Sequence, residues 1–196
     1  MKKLSLLLVV ALSVFSFTTA HIDSYMADTK KSSVKWTGSK IVGDTHYGNI
    51  SISKGAVMMD HGKLVGANFV IDMNSMTCTD IESKKYNAKL ISHLKNDDFF
   101  DVEKFPTASF KLITAKKIAE GKFKVNGEIM IKEFKDVVSF EMDATERNGT
   151  ISTSGKFTFD RTKFDVIYGS GTFFDNLGDK AINNDVTIEF NIVANK

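Results

Sequence analysis

The sequence predicts an all-β protein: eight antiparallel strands closed into a barrel, with a short helix and an aromatic connector between the third and fourth strands. Three observations predict it. Apolar and polar residues alternate with period two through most of the chain after residue 20, the pattern of strands that bury one face and solvate the other. Glycine, aspartate and asparagine cluster between the alternating runs, where tight turns belong. The only long interruption, Thr79 to Lys104, carries helical periodicity and then a run of phenylalanines set among acids.

Val34 and Trp36 mark the inward face of the first strand, Ile50 and Ile52 the second, and Phe69 and Ile71 the third. Phe110 and Leu112 mark the fourth. The fifth is the clearest, with Phe123, Val125, Gly127, Ile129 and Ile131 on one face and Lys122, Lys124, Asn126, Glu128, Met130 and Lys132 on the other. Val138, Phe140 and Met142 follow, then Phe157 and Phe159, and finally Val186, Ile188, Phe190 and Ile192. Turns are expected at Gly43-Asp44, Asp60-His61-Gly62, Glu120-Gly121 and Arg147-Asn148-Gly149. Eight such strands with one continuous apolar face can close, their interior either filled by side chains or holding one small ligand. A transmembrane barrel would need the apolar face outward and a polar lumen.

Within the interruption, Asn87 to Leu94 has helical composition, with Ala88, Ile91 and Leu94 on one stripe. Pro106, the chain's one proline, biases Phe105 toward extended backbone and a strand start. Between them, charges hold the connector at the surface while Phe99, Phe100 and Phe105 need burial, as a plug over the core or as a lid over a cavity.

The run from His93 to Phe110, with its His-Leu-Lys, Asp-Phe-Phe-Asp and Phe-Pro pieces, resembles the YceI-like polyisoprenoid-binding family. Phe69 to Ser75, Val125 to Lys132 and Asp160 to Phe164 match in order, so the resemblance covers residues 33 to 194. It implies a lipocalin-like barrel with a lipid-binding interior. The chain departs from the family pattern at Asp165, where glycine is usual, and at Asn126 and Glu133, where threonine and glycine are frequent. A carboxylate at Asp165 is therefore expected to bear on the local turn or the cavity mouth.

Residues 1–20 have the layout of a secretory signal peptide: Lys2 and Lys3, an apolar stretch from Leu4 to Phe17, and a small-residue end at Thr18-Thr19-Ala20. The stretch is short for a bilayer span, no cysteine stands near the junction for acylation, and the expected mature chain is a single soluble domain, residues 21–196, in the periplasm or secreted. Without Lys2 and Lys3 the 26 basic residues fall to equality with the 24 acidic ones. That balance excludes a nucleic-acid binder and predicts no polybasic patch for membrane surfaces. Cys78 is the only cysteine, so no internal disulfide can form and the residue reads as an ordinary small side chain.

An enzyme would need a nucleophile, a base and a charge-stabilising group, and no recognisable motif in the sequence supplies them. The four histidines lack zinc spacing, Gly169-Ser170-Gly171 lacks the nucleophile elbow, and a solvated connector explains Asp97, Asp98 and Asp101. Asp175, Asp179 and Asp185 with Asn176 and Asn183 could offer oxygen to a hard cation but do not match an EF-hand loop.

Gly38, Gly48, Gly127 and Gly155 share faces with inward apolar residues. They either mark bends of a closing barrel or leave volume unfilled, and the resemblance favours the second. The residues then expected to line a cavity are Trp36, Ile50, Ile52, Phe69, Ile71, Phe99, Phe110, Ile129, Ile131, Phe140, Phe157, Phe159, Ile188 and Phe190. Head-group candidates are Arg161, at the end of an inward series, His46 and His93; Arg161 could instead pair with Asp160, Asp165 or another carboxylate.

The expected function is non-catalytic binding, storage or transport of a long-chain amphiphile: a polyisoprenoid, an isoprenoid quinone or an acyl-chain lipid. No metal or cofactor is expected beyond that ligand. A homodimer is compatible with the sequence, and the mature chain has no transmembrane segment. Two alternatives stay open, an enzyme acting on an isoprenoid or lipid and a periplasmic stress-related scaffold.

Overall fold

The computed structural model describes residues 21–196, so the expected signal peptide lies outside the described residues. The strands are β1 (Ile22–Ala27), β2 (Ser33–Ser39), β3 (Thr45–Asp60), β4 (Lys63–Asp72), β5 (Thr107–Ala119), β6 (Lys122–Ile131), β7 (Phe134–Arg147), β8 (Thr150–Asp160) and β9 (Asp185–Asn195). One helix, α1 (Lys84–Lys95), lies between β4 and β5.

All pairings are antiparallel, and the sheet closes because β2 pairs with both β3 and β9 while β3 also pairs with β4. The barrel has eight strand positions although the described residues form nine strands. The difference is β1. The 16-residue β3 pairs with β2 through Thr45 to Ile50 and with β1 through Ala56 to Asp60, so β1 and β2 occupy one position end to end. The sequence reading missed β1 because only Tyr25 of its residues is fully buried, and one inward side chain makes no pattern.

The pleat explains the rest. Along β6, Phe123, Val125, Gly127, Ile129 and Ile131 are buried and the residues between them are not, so the apolar face points inward and the lysines and glutamates outward. His61 (φ 48°) with Gly62 (φ 77°), and Asn148 (φ 51°) with Gly149 (φ 74°), form two-residue turns with both residues left-handed. That geometry matches the twist of the flanking strands.

Short hairpins close one end of the barrel, at residues 61–62, 120–121 and 148–149, whereas the long connectors between β4 and β5 and between β8 and β9 lie at the other. A layer of Tyr25, Phe123, Ala144, Ile151 and Ala194, all buried, seals the hairpin end.

At the connector end, α1 is longer than the Asn87 to Leu94 expected, and its stripe is rotated. Leu90, Ile91 and Leu94 are half-buried, but Ala88 is exposed. The bulky residues win the inward face because they bury more carbon. Phe99 is buried as expected, Phe100 and Phe105 only in part, and Val102 takes a fully buried place. Asn96 organises this turn, its carbonyl accepting from the backbone N–H groups of Phe99 and Asp101.

Candidate ligand cavity

The barrel is hollow. A cavity of about 500 Å³ runs from the sealed layer to the connector end, within the size range of small-molecule sites. Its wall takes Trp36 from β2, Ile50 and Ile52 from β3, Phe69 and Ile71 from β4, and Phe110 from β5. Ile129 and Ile131 come from β6, Phe140 from β7, Phe157 and Phe159 from β8, Ile188 and Phe190 from β9, and Phe99 from the connector. Every apolar residue expected at a cavity thus faces this one. The sequence reading missed Met73, Met76, Leu90 and Leu94, which reach it from the β4–β5 connector, where no strand period marks an inward face.

Five phenylalanines from five strands form a continuous aromatic wall. Phe140 stacks on Phe157 (centroids 5.1 Å apart, 26° between planes) and meets Phe190 edge-on at 5.8 Å. Phe110 lies 6.0 Å from Phe140, and Phe69 6.5 Å from Phe110. Their side chains interlock because glycine opposes them. A Cβ on Gly127 would fall 2.1 Å from Phe110 Cε2, and one on Gly155 would fall 2.7 Å from Phe190 Cζ.

The inward glycines therefore do not all leave volume empty. Gly127 and Gly155 admit rings. At Gly48 a Cβ would lie 1.8 Å from the carbonyl oxygen of Thr77, which crosses above it and accepts a hydrogen bond from the Trp36 indole at 3.0 Å. Only Gly38 borders the cavity with nothing within 4 Å of its Cβ position.

Polar groups gather at the connector end. His46 Nδ1 lies 2.7 Å from the Asp80 carboxylate, and His93 Nε2 lies 3.2 Å from that of Asp98. The His93 ring also meets Phe99 and Tyr168 edge-on, at 4.9 and 4.7 Å, so three aromatic rings narrow the mouth. Burial works to raise the Asp80 carboxyl, but His46, the Tyr47 N–H and the Cys78 thiol all bond it and hold it below the usual carboxylate range. Cys78 is buried and its thiol is pushed up, chiefly by desolvation.

Arg161 borders the cavity but does not project from its mouth. It is 2 % exposed, and its donors are engaged by backbone carbonyls: Nε to Asn183 at 3.0 Å, one terminal nitrogen to Val166 at 2.6 Å, the other to Ile182 at 3.2 Å. Neither expected partner carboxylate takes it. Asp160 caps the Thr162 N–H, and the Asp165 carboxylate lies 3.8 Å from Lys132 Nζ. Burial lowers the Arg161 pKa, and the ring of carbonyls compensates the desolvated charge.

Asp165 does not reach the cavity. It is left-handed (φ 56°), which accounts for glycine being usual there in the resembled pattern, and its side chain is exposed. Among the described residues no three His, Cys, Asp or Glu side chains gather as metal ligands, Asp175, Asp179 and Asp185 included, and no helix is long and apolar enough to cross a membrane.

A closed eight-position antiparallel barrel with one sealed end and an apolar interior defines a small-ligand barrel of lipocalin-like form. The chain belongs to the family with the YceI-like domain, whose sequence model matches residues 25–194. Its fold is similar to that of BcnA from Burkholderia cenocepacia (24 % identity, TM-score 0.63, covering 86 % of this chain and 99 % of BcnA). It is also similar to a polyisoprenoid binding domain from Saccharophagus degradans (14 %, 0.63, covering 87 % and 97 %). The Campylobacter jejuni YCEI protein shares the fold as well (16 %, 0.56, covering 100 % and 99 %). Among curated proteins none matches the sequence.

Proposed function

We propose that this protein binds the tail of a long-chain amphiphile, a polyisoprenoid, isoprenoid quinone or acyl-chain lipid, and stores or carries it outside the cytoplasm. The observation that carries the reading is the apolar cavity closed at one end by Tyr25, Phe123 and Ile151. Kinship with a domain family that includes a polyisoprenoid binding domain supports it.

The energetics follow from volume. With a methylene taken as about the size of one liquid water, ~30 Å³, a cavity of about 500 Å³ holds on the order of 17 such groups. Each contributes roughly 0.8 kcal/mol on burial, so the tail gains on the order of 13 kcal/mol before association costs of about 4–15 kcal/mol. A tail much longer than this must leave through the mouth or part the phenylalanine wall. The reading is of a binder, without a chemical step: the histidines at the mouth are each held by a carboxylate, and the thiol that shares Asp80 with His46, Cys78, is buried and pushed toward its protonated form by desolvation. The basic tip, apolar stretch and small-residue end of residues 1–20 support export to the periplasm.

Native mass spectrometry of the protein purified from its own host tests this. The expected species begins at His21 and carries a lipid mass that organic extraction removes. A chain recovered without lipid, or one that converts the lipid to a product, overturns the binding reading.

A further inference from the structure

The wall of the cavity carries charge of one sign. The chain has 24 acidic residues and none of them borders the cavity, whereas Lys40, Arg161 and Lys180 do. All three stand at the connector end, just past β2, just past β8 and within the β8–β9 connector. Acids are plentiful around that end, and those nearest the opening are engaged: Asp44 by Lys40, Asp80 by His46 and the Tyr47 N–H, Asp98 by His93. Glu82, Asp97, Asp101, Glu103, Asp175 and Asp179 lie outside the cavity lining.

The two lysines belong to one pole. Lys40 continues the inward series Val34, Trp36 and Gly38 of β2 and bridges Ile182, and the Ile41 N–H bonds the Ala181 carbonyl, so the end of β2 lies against the segment that carries Lys180. At Gly38, one pleat further in, nothing lies within 4 Å of a Cβ position, which leaves room beside them. The Arg161 guanidinium spends its donors on backbone carbonyls, and the ammonium groups do not. Lys180 has no ion pair among the described residues, and Lys40 has only Asp44, at 2.9 Å, whose side chain is 63 % exposed. Water screens such a pair, so a ligand anion can displace it.

An amphiphile with its tail in the sealed barrel presents its head at this opening. A neutral head would leave both ammonium groups to water, while an anionic head takes charge-assisted bonds from them and meets no carboxylate in the wall to repel it. Lysine suits the boundary, since its methylenes cover apolar surface while the charge stays at the rim. We propose that the ligand is an acid, its phosphate or carboxylate held by Lys40 and Lys180, and not an alcohol or a quinone. Such a head-group site presupposes the lipid-binding reading above and narrows it.

The test titrates delipidated, host-purified protein with two matched pairs, farnesyl phosphate against farnesol and hexadecanoate against hexadecanol, read by displacement of a neutral naphthylamine dye. The acid of each pair is expected to bind about tenfold tighter than its alcohol. Lys180→Gln and Lys40→Gln should each weaken the acids severalfold, and the double variant should lose the preference altogether. Asp44→Asn, which frees Lys40, should tighten the acids. None of these should change affinity for the alcohols, which also shows that the variants fold, and Lys124→Gln on the outer face of β6 should match the parent. Alcohols bound as tightly as acids, or a preference retained in the double variant, overturns the head-group site and leaves the tail-binding reading standing. Failure of all four ligands to bind overturns both. A preference in one pair alone supports the site and tells phosphate from carboxylate.

Discussion

The guanidinium of Arg161 donates to the carbonyl of Val166 at 2.6 Å, while the carbonyls of Ile182 and Asn183, just before β9, take its remaining nitrogens. One side chain thereby ties the end of β8 to the segment that leads into β9. Arg161→Met is expected to cost about 3–5 kcal/mol in urea unfolding, since it strands buried carbonyls. The variant should lose affinity for a prenyl phosphate and a prenyl alcohol of equal length alike. A selective loss of the phosphate would return Arg161 to the head group.

Gly38 and Gly127 should respond oppositely to leucine. At Gly38 the new side chain finds open space at the cavity, so Gly38→Leu is expected to lower lipid loading with a change in stability under about 0.5 kcal/mol. At Gly127 it must unseat the Phe110 ring, and overpacking of that kind costs about 1–3 kcal/mol. Thermal unfolding and lipid content per protein, measured together, check the pair.

At Asp165 the left-handed backbone predicts an order of stability, glycine above aspartate above alanine. Asp165→Ala should lose about 1 kcal/mol, and Asp165→Gly should gain a few tenths. Lipid loading should be the same in all three, because the side chain lies outside the cavity.

Tyr25 supplies a pH test. Its hydroxyl donates to Glu146, and that bond, then burial, pushes its pKa up to about 12. The folded state holds the phenolic proton more tightly than the unfolded chain, whose value is about 10. The stabilisation is therefore complete below about pH 10 and is lost as pH rises toward 12. Tyr25→Phe should cost about 1 kcal/mol near neutral pH and flatten the stability curve between about pH 10 and 12. Denaturant unfolding across that range measures both effects.

How far the sequence could be read depended on whether a residue's environment is set by its own strand. Ile129 and Phe157 could be placed at the cavity from period two alone, since in a pleated strand every second side chain shares a face. Met73 and Leu90 could not, because the connector has no such period. His46 and His93 were visible as candidates near an opening, but their carboxylate partners, Asp80 and Asp98, depend on how the connector folds back over the mouth. Arg161 shows the limit most sharply. Its position at the end of an inward series was legible, and the backbone carbonyls that occupy it were not.

By itself, the sequence determined the barrel, its turns, the apolar lining and the family, because strand alternation and hairpin chemistry are local and repeat along the chain. Tertiary structure alone decided that β1 and β2 share one strand position, and that Phe110, Phe190 and the Thr77 carbonyl fill the space over Gly127, Gly155 and Gly48. It also decided that one end is sealed while the other gathers the cations that border the cavity. The physical reason is that side chains on non-adjacent segments compete for one closed volume. Which of them fills it, borders it or is left at its rim depends on distances that no local pattern encodes.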